Sequence, residues 1–274
     1  MHGAVTGVRL WANALASSAI HGPRRWTIVC WHAVGGRDQF RRTLDEMLEF
    51  YEPVPLSGGH ARLQSRGIRK PLLSLTFDDA DRTVYQYCLP ELRSRSLSAC
   101  LFVTTGFVDK GYHETPKGRR PVMSWPELQE WAAAALELGG HTVNHIPLNQ
   151  ASMPRAQWEV LESKRILEQR LGCKVRHFAY PGGYYTDQLQ EWLEVGVDFD
   201  TVLTTYPQDN FPGQGGKHLH RKPPPRPGRV SRDLTDCGLY AAVRHVHHRE
   251  LFNGLAPVLW YLPADSRRDG GEQL

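Results

Sequence analysis

Short apolar runs alternate with longer amphipathic segments along the chain from Trp26 onward. The short runs have the length and residue content of buried strands, whereas the longer segments repeat apolar residues every three or four positions, as helices do. This alternation is typical of β-α units around a largely parallel sheet, so we predict an α/β fold. The predicted strands are 26–31, 72–77, 99–103, 175–180 and 201–204, and the predicted helices are 40–51, 85–95, 125–138, 155–171 and 186–194.

One helix boundary carries a strong local signal. Ser124 and Glu127 have the spacing of a capping box, and Pro126 suits the first turn of a helix. We therefore predict that this helix begins near 125 and ends at 138, just before a Gly-Gly pair. The preceding segment, 106–121, is rich in charge and glycine and is predicted to be a loop.

The composition divides the chain into four parts. Residues 1–24 are an N-terminal extension, and residues 25–210 hold the predicted β-α units. Residues 211–264 begin with a basic stretch that has prolines at 223–225 and 227 and no acid up to Arg232. Because proline excludes a regular helix interior, we predict a solvated loop there, followed by the completion of the same domain. Residues 265–274 have the composition of a frayed tail.

The overall composition excludes several classes of protein. The chain has 274 residues, of which 41% are hydrophobic and 23% charged, which is the balance of a globular protein and not of a disordered one. The formal charge of +4 is too small to indicate a dedicated nucleic-acid or membrane surface. The five cysteines form no C-x-x-C pair, so a reducing, cytoplasmic location is expected. No apolar run reaches the roughly 18 residues of a membrane span.

Titratable residues follow several predicted strands, at the end where α/β folds gather their reactive groups. Asp78 and Asp79 come directly after the apolar strand 72–77. Adjacent side chains on an extended chain point in opposite directions, so one carboxylate can bind a cation while the other stays free. The same pair also fits a plain turn that closes a strand.

Two histidines, His141 and His145, follow the Gly-Gly pair four positions apart. In a helix this spacing places both imidazoles on one face, which is a common way to bind one metal ion. Together with Asp79 they form a set of two nitrogen ligands and one oxygen ligand. Such a set leaves positions open for water and substrate, as catalytic divalent sites require.

Two further strand ends offer candidate groups. The turn that begins at Tyr180 and continues through Pro181, Gly182 and Gly183 is either a tight turn and nothing more, or it aims the backbone N–H of Tyr180 at a developing oxyanion. His32 stands at the end of the first strand, where a single histidine is either structural or catalytic.

Three segments taken together resemble a known family. They are Leu75-Thr76-Phe77-Asp78-Asp79, then Gly139-Gly140-His141-Thr142 with His145, then Phe178-Ala179-Tyr180-Pro181-Gly182. In order and approximate spacing they resemble the first three motifs of the polysaccharide deacetylases, carbohydrate esterase family 4, whose shared region is the NodB homology domain. The resemblance covers roughly residues 26–205 and implies a single-domain, incomplete (β/α) barrel of the polysaccharide deacetylase type.

The resemblance also implies roles for individual residues. Asp78 is expected to be the general base, and the N–H at Tyr180 the oxyanion donor. Arg176 lies where the family often has an arginine that orients the base. The expected ligands of a divalent ion are Asp79, His141 and His145. This ligand set suits zinc, although ligand type does not distinguish zinc from cobalt, nickel or manganese.

Two departures from the family pattern affect the assignment. Ala80 follows the Asp pair where the family usually has glycine. The Leu-x-His motif that supplies the general acid in most members does not occur after Gly213. Instead, Cys30-Trp31-His32-Ala33-Val34 resembles a segment of the permuted branch, typified by bacterial poly-N-acetylglucosamine deacetylases, in which an N-terminal histidine takes that role. We therefore predict His32 as the acid, with His220 and His245 as rivals.

The expected activity is removal of the N-acetyl group from an N-acetylated amino sugar or glycan. Hydrolysis of another C–N amide bond on the same fold, and a non-catalytic glycan-binding barrel, are the alternatives. A binding module has no need of a free carboxylate beside a ligand carboxylate. The basic run 217–232 lacks interleaved aromatic residues, so no nucleic-acid partner is expected, but an acidic sugar substrate would suit it.

Overall fold

The computed structural model of this chain describes residues 24–214, 216–230 and 233–234. Its strands are β1 (Trp26–Trp31), β2 (Glu52–Pro53), β3 (Leu72–Phe77), β4 (Cys100–Val103), β5 (Tyr112–Thr115), β6 (Gly118–Pro121), β7 (Glu137–Gly140), β8 (His177–Ala179), β9 (Thr201–Leu203) and β10 (His218–Leu219). Its α-helices are α1 (Arg37–Phe50), α2 (Gly59–Gln64), α3 (Leu89–Ser94), α4 (Thr105–Lys110), α5 (Trp125–Ala133), α6 (Met153–Leu171) and α7 (Asp187–Gly196).

Eight of the described strands form one sheet in which all neighbours are parallel, in the order β1-β3-β4-β7-β8-β9-β10, with β2 beside β3. The sheet curls back toward β1. Lys222, just beyond β10, donates its N–H to the carbonyl of Ile28 at 2.8 Å and accepts from the N–H of Cys30 at 2.9 Å. With the helices around it, the sheet is an incomplete (β/α) barrel, which confirms the predicted fold class.

Apolar side chains are buried on both faces of the sheet. Inside the curl, Ile28, Leu72 and Phe102 belong to one cluster of buried residues. A larger cluster lies between the sheet and the helices, and in it Trp131 of α5 meets Phe77 edge to face with ring centroids 6.0 Å apart. Because both faces are covered, the strands are almost continuously apolar. The longest two, β1 and β3, are therefore easy to detect in the sequence.

The predicted strands 26–31 and 72–77 have the observed bounds of β1 and β3. The other three predicted strands are shorter in the structure. The predicted helix 85–95 is observed as a π-helical turn, Val84–Cys88, that continues into α3. None of the described helices is both long and apolar enough to cross a membrane.

The predicted end of the helix at 138 is wrong. The capping box at Ser124 is present, but α5 ends at Ala133, and Glu137–Gly140 is the strand β7 in the middle of the sheet. The Gly-Gly pair therefore belongs to a strand. A Cβ on Gly139 would lie 2.3 Å from the ring of Phe102, so the close packing of that ring requires glycine there.

Two segments predicted as loops contain regular structure. The segment 106–121 holds most of α4 and the antiparallel hairpin β5-β6. The basic run contains β10, and it also contains Arg221 and Lys222, which are 1% and 4% exposed. They are buried because the barrel closes through this segment. The extension before Arg24, the tail 265–274 and most of 211–264 after 230 lie outside the described residues.

Candidate metal and catalytic site

Four side chains predicted from the sequence converge at the carboxyl ends of β3 and β7. Asp78 and Asp79 directly follow β3, and His141 directly follows β7. Oδ1 of Asp79 lies 3.3 Å from Nε2 of His145 and 3.7 Å from Nε2 of His141. One ligand atom from each of these three residues lies within 4.8 Å of the other two, which suits a single metal ion.

Two atoms of this group are buried without a hydrogen-bond partner among the described residues, namely Oδ1 of Asp79 and Nε2 of His141. An unsatisfied buried polar atom costs about 1–3 kcal/mol, so such atoms need an explanation. The other ring nitrogen of His141 donates to the carbonyl of Ala179 at 2.7 Å, which leaves a lone pair on Nε2. A divalent cation would satisfy both atoms, and this nitrogen and oxygen set fits zinc.

The backbone around the candidate ligands adopts an uncommon conformation. Asp79, Thr142 and His145 have φ values of 67°, 66° and 55°, in the left-handed region that costs about 1 kcal/mol or more for non-glycine residues. The segment from His141 to His145 is a non-helical turn, in which the N–H of His145 donates to Oγ1 of Thr142 at 3.0 Å. The expectation that helical spacing brings the two histidines together is therefore wrong, although they do meet.

Asp78 forms a two-point ion pair with Arg221. Nη1 and Nη2 of Arg221 donate to Oδ1 and Oδ2 of Asp78 at 2.7 and 2.9 Å, and both side chains are at most 2% exposed. Nε of Arg221 donates to the carbonyl of Thr204 at 3.1 Å, so the guanidinium is held from two directions. The geometry fixes the plane of the Asp78 carboxylate, which is what an oriented base requires.

Burial and neighbouring charges determine the protonation states of Asp78 and His141. Burial alone would raise the pKa of Asp78, but Arg221, His141 and His32 together hold it well below its usual range. Burial lowers the pKa of His141 to about 4, against the opposing effect of the nearby carboxylates. Asp78 is therefore ionised and His141 neutral at pH 7. These are the forms that a base and a metal ligand need.

His32 lies at the mouth of the site. Its Nε2 is 3.9 Å from Oδ2 of Asp78, and its side chain is 40% exposed. A cleft above Asp79 is lined by His32 on one side and by His113 and Arg120 of the β5-β6 hairpin on another. An exposed imidazole at a cleft mouth beside the buried Asp78 carboxylate is well placed to meet a substrate.

Of the two rival histidines, His220 does not join this group. His220 directly precedes the buried Arg221. Its own Nδ1, however, contacts Oγ1 of Thr204 at 3.3 Å, and its ring packs near that of Tyr206. Burial lowers the pKa of His220 to about 4, which disfavours the protonated form that an acid needs. His245 lies outside the described residues.

The role predicted for Arg176 is wrong. Arg176 precedes β8, at the opposite end of the strand from the site, and its guanidinium pairs with Asp198 at 2.5 Å. The residue that holds Asp78 is Arg221. Parallel strands carry their carboxyl ends at one end of the barrel, so a residue before β8 lies too far away to reach a residue after β3.

The N–H of Tyr180 is also not free to bind an oxyanion. It donates to the carbonyl of Leu203 at 3.1 Å and so continues the pairing of β8 with β9. Pro181 has no N–H, and Gly183 donates to Tyr180. Gly182, with φ 60°, is the first residue after Tyr180 whose N–H makes no hydrogen bond to a described residue.

Sequence reasoning missed two residues of the site. Arg221 stands two positions after Leu219, on the same face of an extended chain, but the prolines that follow it indicated a loop. His113 lies in a segment predicted to be unstructured. Its Nδ1 is 3.8 Å from Oδ2 of Asp79, and its ring stacks on Phe107 with centroids 4.2 Å apart. Burial lowers the pKa of His113.

Comparison with known sequences agrees with the three motifs. The polysaccharide deacetylase family model matches residues 66–199. YxkH of Bacillus subtilis (strain 168), which is named for the same family, is 24% identical over 147 residues, or 54% of this chain. The match spans about half of the length of YxkH, 49%.

Comparison with solved structures identifies the same fold. The deacetylase PplD of Streptococcus pyogenes, solved in complex with acetate, has a TM-score of 0.65 at 23% identity and covers 78% of this chain and 98% of its own. IcaB from Ammonifex degensii has a TM-score of 0.66 at 23% identity, with coverage of 78% and 97%. The deacetylase domain of BpsB from Bordetella bronchiseptica scores 0.62 at 17% identity, with coverage of 73% and 96%. The family-model match and the ordered motifs identify residues 66–199 as a polysaccharide deacetylase domain, and the solved structures show that the fold around it is the same.

Proposed function

We propose that this chain is a metal-dependent hydrolase that removes the N-acetyl group from an N-acetylated amino sugar or glycan. One observation carries the proposal: the unsatisfied Oδ1 of Asp79 and Nε2 of His141 face each other beside the separately held carboxylate of Asp78. A site for a cation and an oriented base are thus adjacent. The family-model match over residues 66–199 and the acetate complex of PplD support the acetyl group as the part that is removed.

The residues divide the work of amide hydrolysis among them. Asp79, His141 and His145 would hold the ion, which supplies positive charge that polarises a carbonyl and favours deprotonation of water. Asp78 takes the proton of the attacking water, and His32 in its protonated form donates a proton to the leaving nitrogen. An amide nitrogen leaves poorly without that proton.

Two residues of the basic run are not free to bind an acidic sugar. The basic run suggested an acidic sugar, but Arg221 and Lys222 are paired with Asp78 and Asp209 and are not available to a ligand. We therefore propose a substrate defined by its N-acetylated sugar, and an acidic group on it would have to meet other basic residues of the run. Zinc is the proposed ion. The cytoplasmic location remains a prediction.

The proposal is tested by metal analysis and acetate release. We expect the purified chain to bind about one zinc per molecule and to release acetate from at least one member of a panel of N-acetylated amino sugars and oligosaccharides. His141→Ala and His145→Ala should lose both metal and activity, because each removes one of three protein ligands. Elemental analysis and an acetate assay measure the two results.

Some outcomes contradict the proposal. Full zinc occupancy in the double variant His141→Ala/His145→Ala would rule out this ligand set. Zinc binding without acetate release from any sugar, together with hydrolysis of a non-sugar acetamide, would favour the alternative amide hydrolase. Zinc binding with glycan affinity and no hydrolysis would favour a non-catalytic barrel.

Replacement of His32 tests the proposed acid. His32→Ala should lower turnover of an N-acetyl substrate by about 100-fold, because the leaving amine loses its proton donor. An ester with a leaving group that needs no proton should be hydrolysed at a rate much closer to that of the wild type. Zinc content should not change, and His220→Ala serves as the matched control with near-normal turnover. If His220→Ala is slow and His32→Ala is not, the acid lies after β10.

A further inference from the structure

A fully buried carboxylate lies behind the metal ligands. Glu159 is in α6, and its side chain is 0% exposed. The positions of α6 that face the core are Ala156, Glu159, Val160, Ser163 and Leu167. Glu159 is the charged member of this buried face. A charge in such a place is rare unless it is paired and hydrogen-bonded, so its partners indicate its purpose.

Those partners are concentrated on the turn between the two histidine ligands. Oε2 of Glu159 accepts from the backbone N–H groups of Val143 and Asn144, both at 2.9 Å. Oε1 accepts from the side-chain amide of Asn144 at 2.9 Å and from Arg155 at 2.7 Å. Three of the four donors therefore belong to the turn that carries His145.

The turn is held from the other side by α4. The N–H of Thr105 donates to the carbonyl of Thr142 at 3.2 Å, and the N–H of Gly106 donates to the carbonyl of Val143 at 2.9 Å. This approach is so close that a Cβ on Gly106 would lie 2.5 Å from that carbonyl oxygen. The donors of the turn bind Glu159 while its acceptors bind α4.

This bonding matters because the turn is strained where it carries a ligand. Thr142 and His145 are both left-handed, with φ values of 66° and 55°. Such residues keep that conformation only where surrounding contacts impose it. The imidazole of His145 would otherwise sample other positions, and the ion would have to order it on binding.

We propose that Glu159 is a positioning residue for the metal site, which sets metal affinity by holding the His145 turn in its ligating conformation. The inference rests on the proposed function, since it takes His141 and His145 as ligands. Groups that orient metal ligands typically change metal affinity about 10–100-fold when they are removed. Glu159 contacts neither the ion nor the substrate, so its effect is expected on metal binding first.

The test is a metal titration of the full chain. The protein is stripped with a chelator and titrated with Zn²⁺ in competition with a chromophoric chelator. Glu159→Gln should weaken zinc binding about 10–100-fold, because one carboxylate oxygen becomes an N–H₂ group that faces donors. Val160→Ala is the matched control: it removes buried apolar atoms from the same helix and should lower stability while zinc affinity stays at the wild-type value.

A second variant keeps the proposal falsifiable if Glu159→Gln does not fold. Glu159→Asp retains the charge, but its side chain is one methylene shorter, so the carboxylate lies farther from the turn. We expect a smaller loss of zinc affinity than in Glu159→Gln. Wild-type affinity in whichever of the two variants folds would overturn the inference, as would an equal loss in Val160→Ala. If the wild-type chain itself binds no zinc, the proposed function fails as well, so the two failures are distinguishable.

Discussion

Replacing Arg221 with methionine is expected to lower the free energy of unfolding by about 3–5 kcal/mol. The change leaves the carboxylate of Asp78 buried at 1% exposure without its two strongest hydrogen bonds. Because the pair holds the pKa of Asp78 well below its usual range, the wild-type protein keeps this stabilisation above about pH 4 and loses it as the pH falls further. Urea denaturation of both proteins at pH 7 and near pH 3 measures the difference.

Two further variants separate the ion pair from general damage to the core. In Asp78→Asn/Arg221→Met neither charge remains, so part of the lost stability should return. Arg176→Met removes an arginine whose side chain is 37% exposed and which pairs with Asp198 at the surface, and it should cost less than about 1 kcal/mol. Lower turnover in Arg176→Met beside normal turnover in Arg221→Met would show that the correction of the predicted arginine is mistaken.

Asp78→Asn is expected to lower turnover by about 100-fold or more, because an amide cannot accept the proton of the attacking water. The variant should keep its zinc, since Asp78 is not among the three proposed ligands. It also leaves the guanidinium of Arg221 buried without a counter-charge, so we expect a marked loss of stability. The assay must therefore be made at a temperature at which circular dichroism shows the variant to be folded.

Asp79→Asn is the matched control for this experiment. It changes the neighbouring residue in the same way but weakens a metal ligand, so zinc content should fall together with turnover. Retained zinc in Asp79→Asn with lost zinc in Asp78→Asn would show that the roles of the two aspartates are reversed.

The sequence was most informative where function follows a strand directly. Asp78, Asp79 and His141 lie next to the ends of β3 and β7, so locating the strands locates the residues. The position of His145 depends instead on the turn held by Glu159. The grouping of His141 with His145 was predicted from helical spacing, whereas the segment between them is not helical.

Contacts distant in sequence could not be predicted from local patterns. Arg221 and Asp78 are 143 residues apart, and the prolines beside Arg221 favoured a loop. The Gly-Gly pair shows the same limit, since glycine ends helices and also permits close packing in strands. The choice between these two at Gly139 depends on the ring of Phe102, which belongs to a different strand.

The closure of the barrel has a consequence for how the chain acquires its fold during synthesis. Nη1 of Arg221 donates a hydrogen bond to Sγ of Cys30, 191 residues earlier in the chain. The backbone of Lys222 pairs with β1, which is synthesised long before it. Until the later segment has been made, β1 presents an open edge and Asp78 has no counter-charge. Such long-range closure slows folding and leaves a nascent chain exposed to misassociation. A fragment cut to residues 66–199 would still match the family model and would keep all three proposed ligands. It would lack both Arg221 and His32, so we expect it to be inactive.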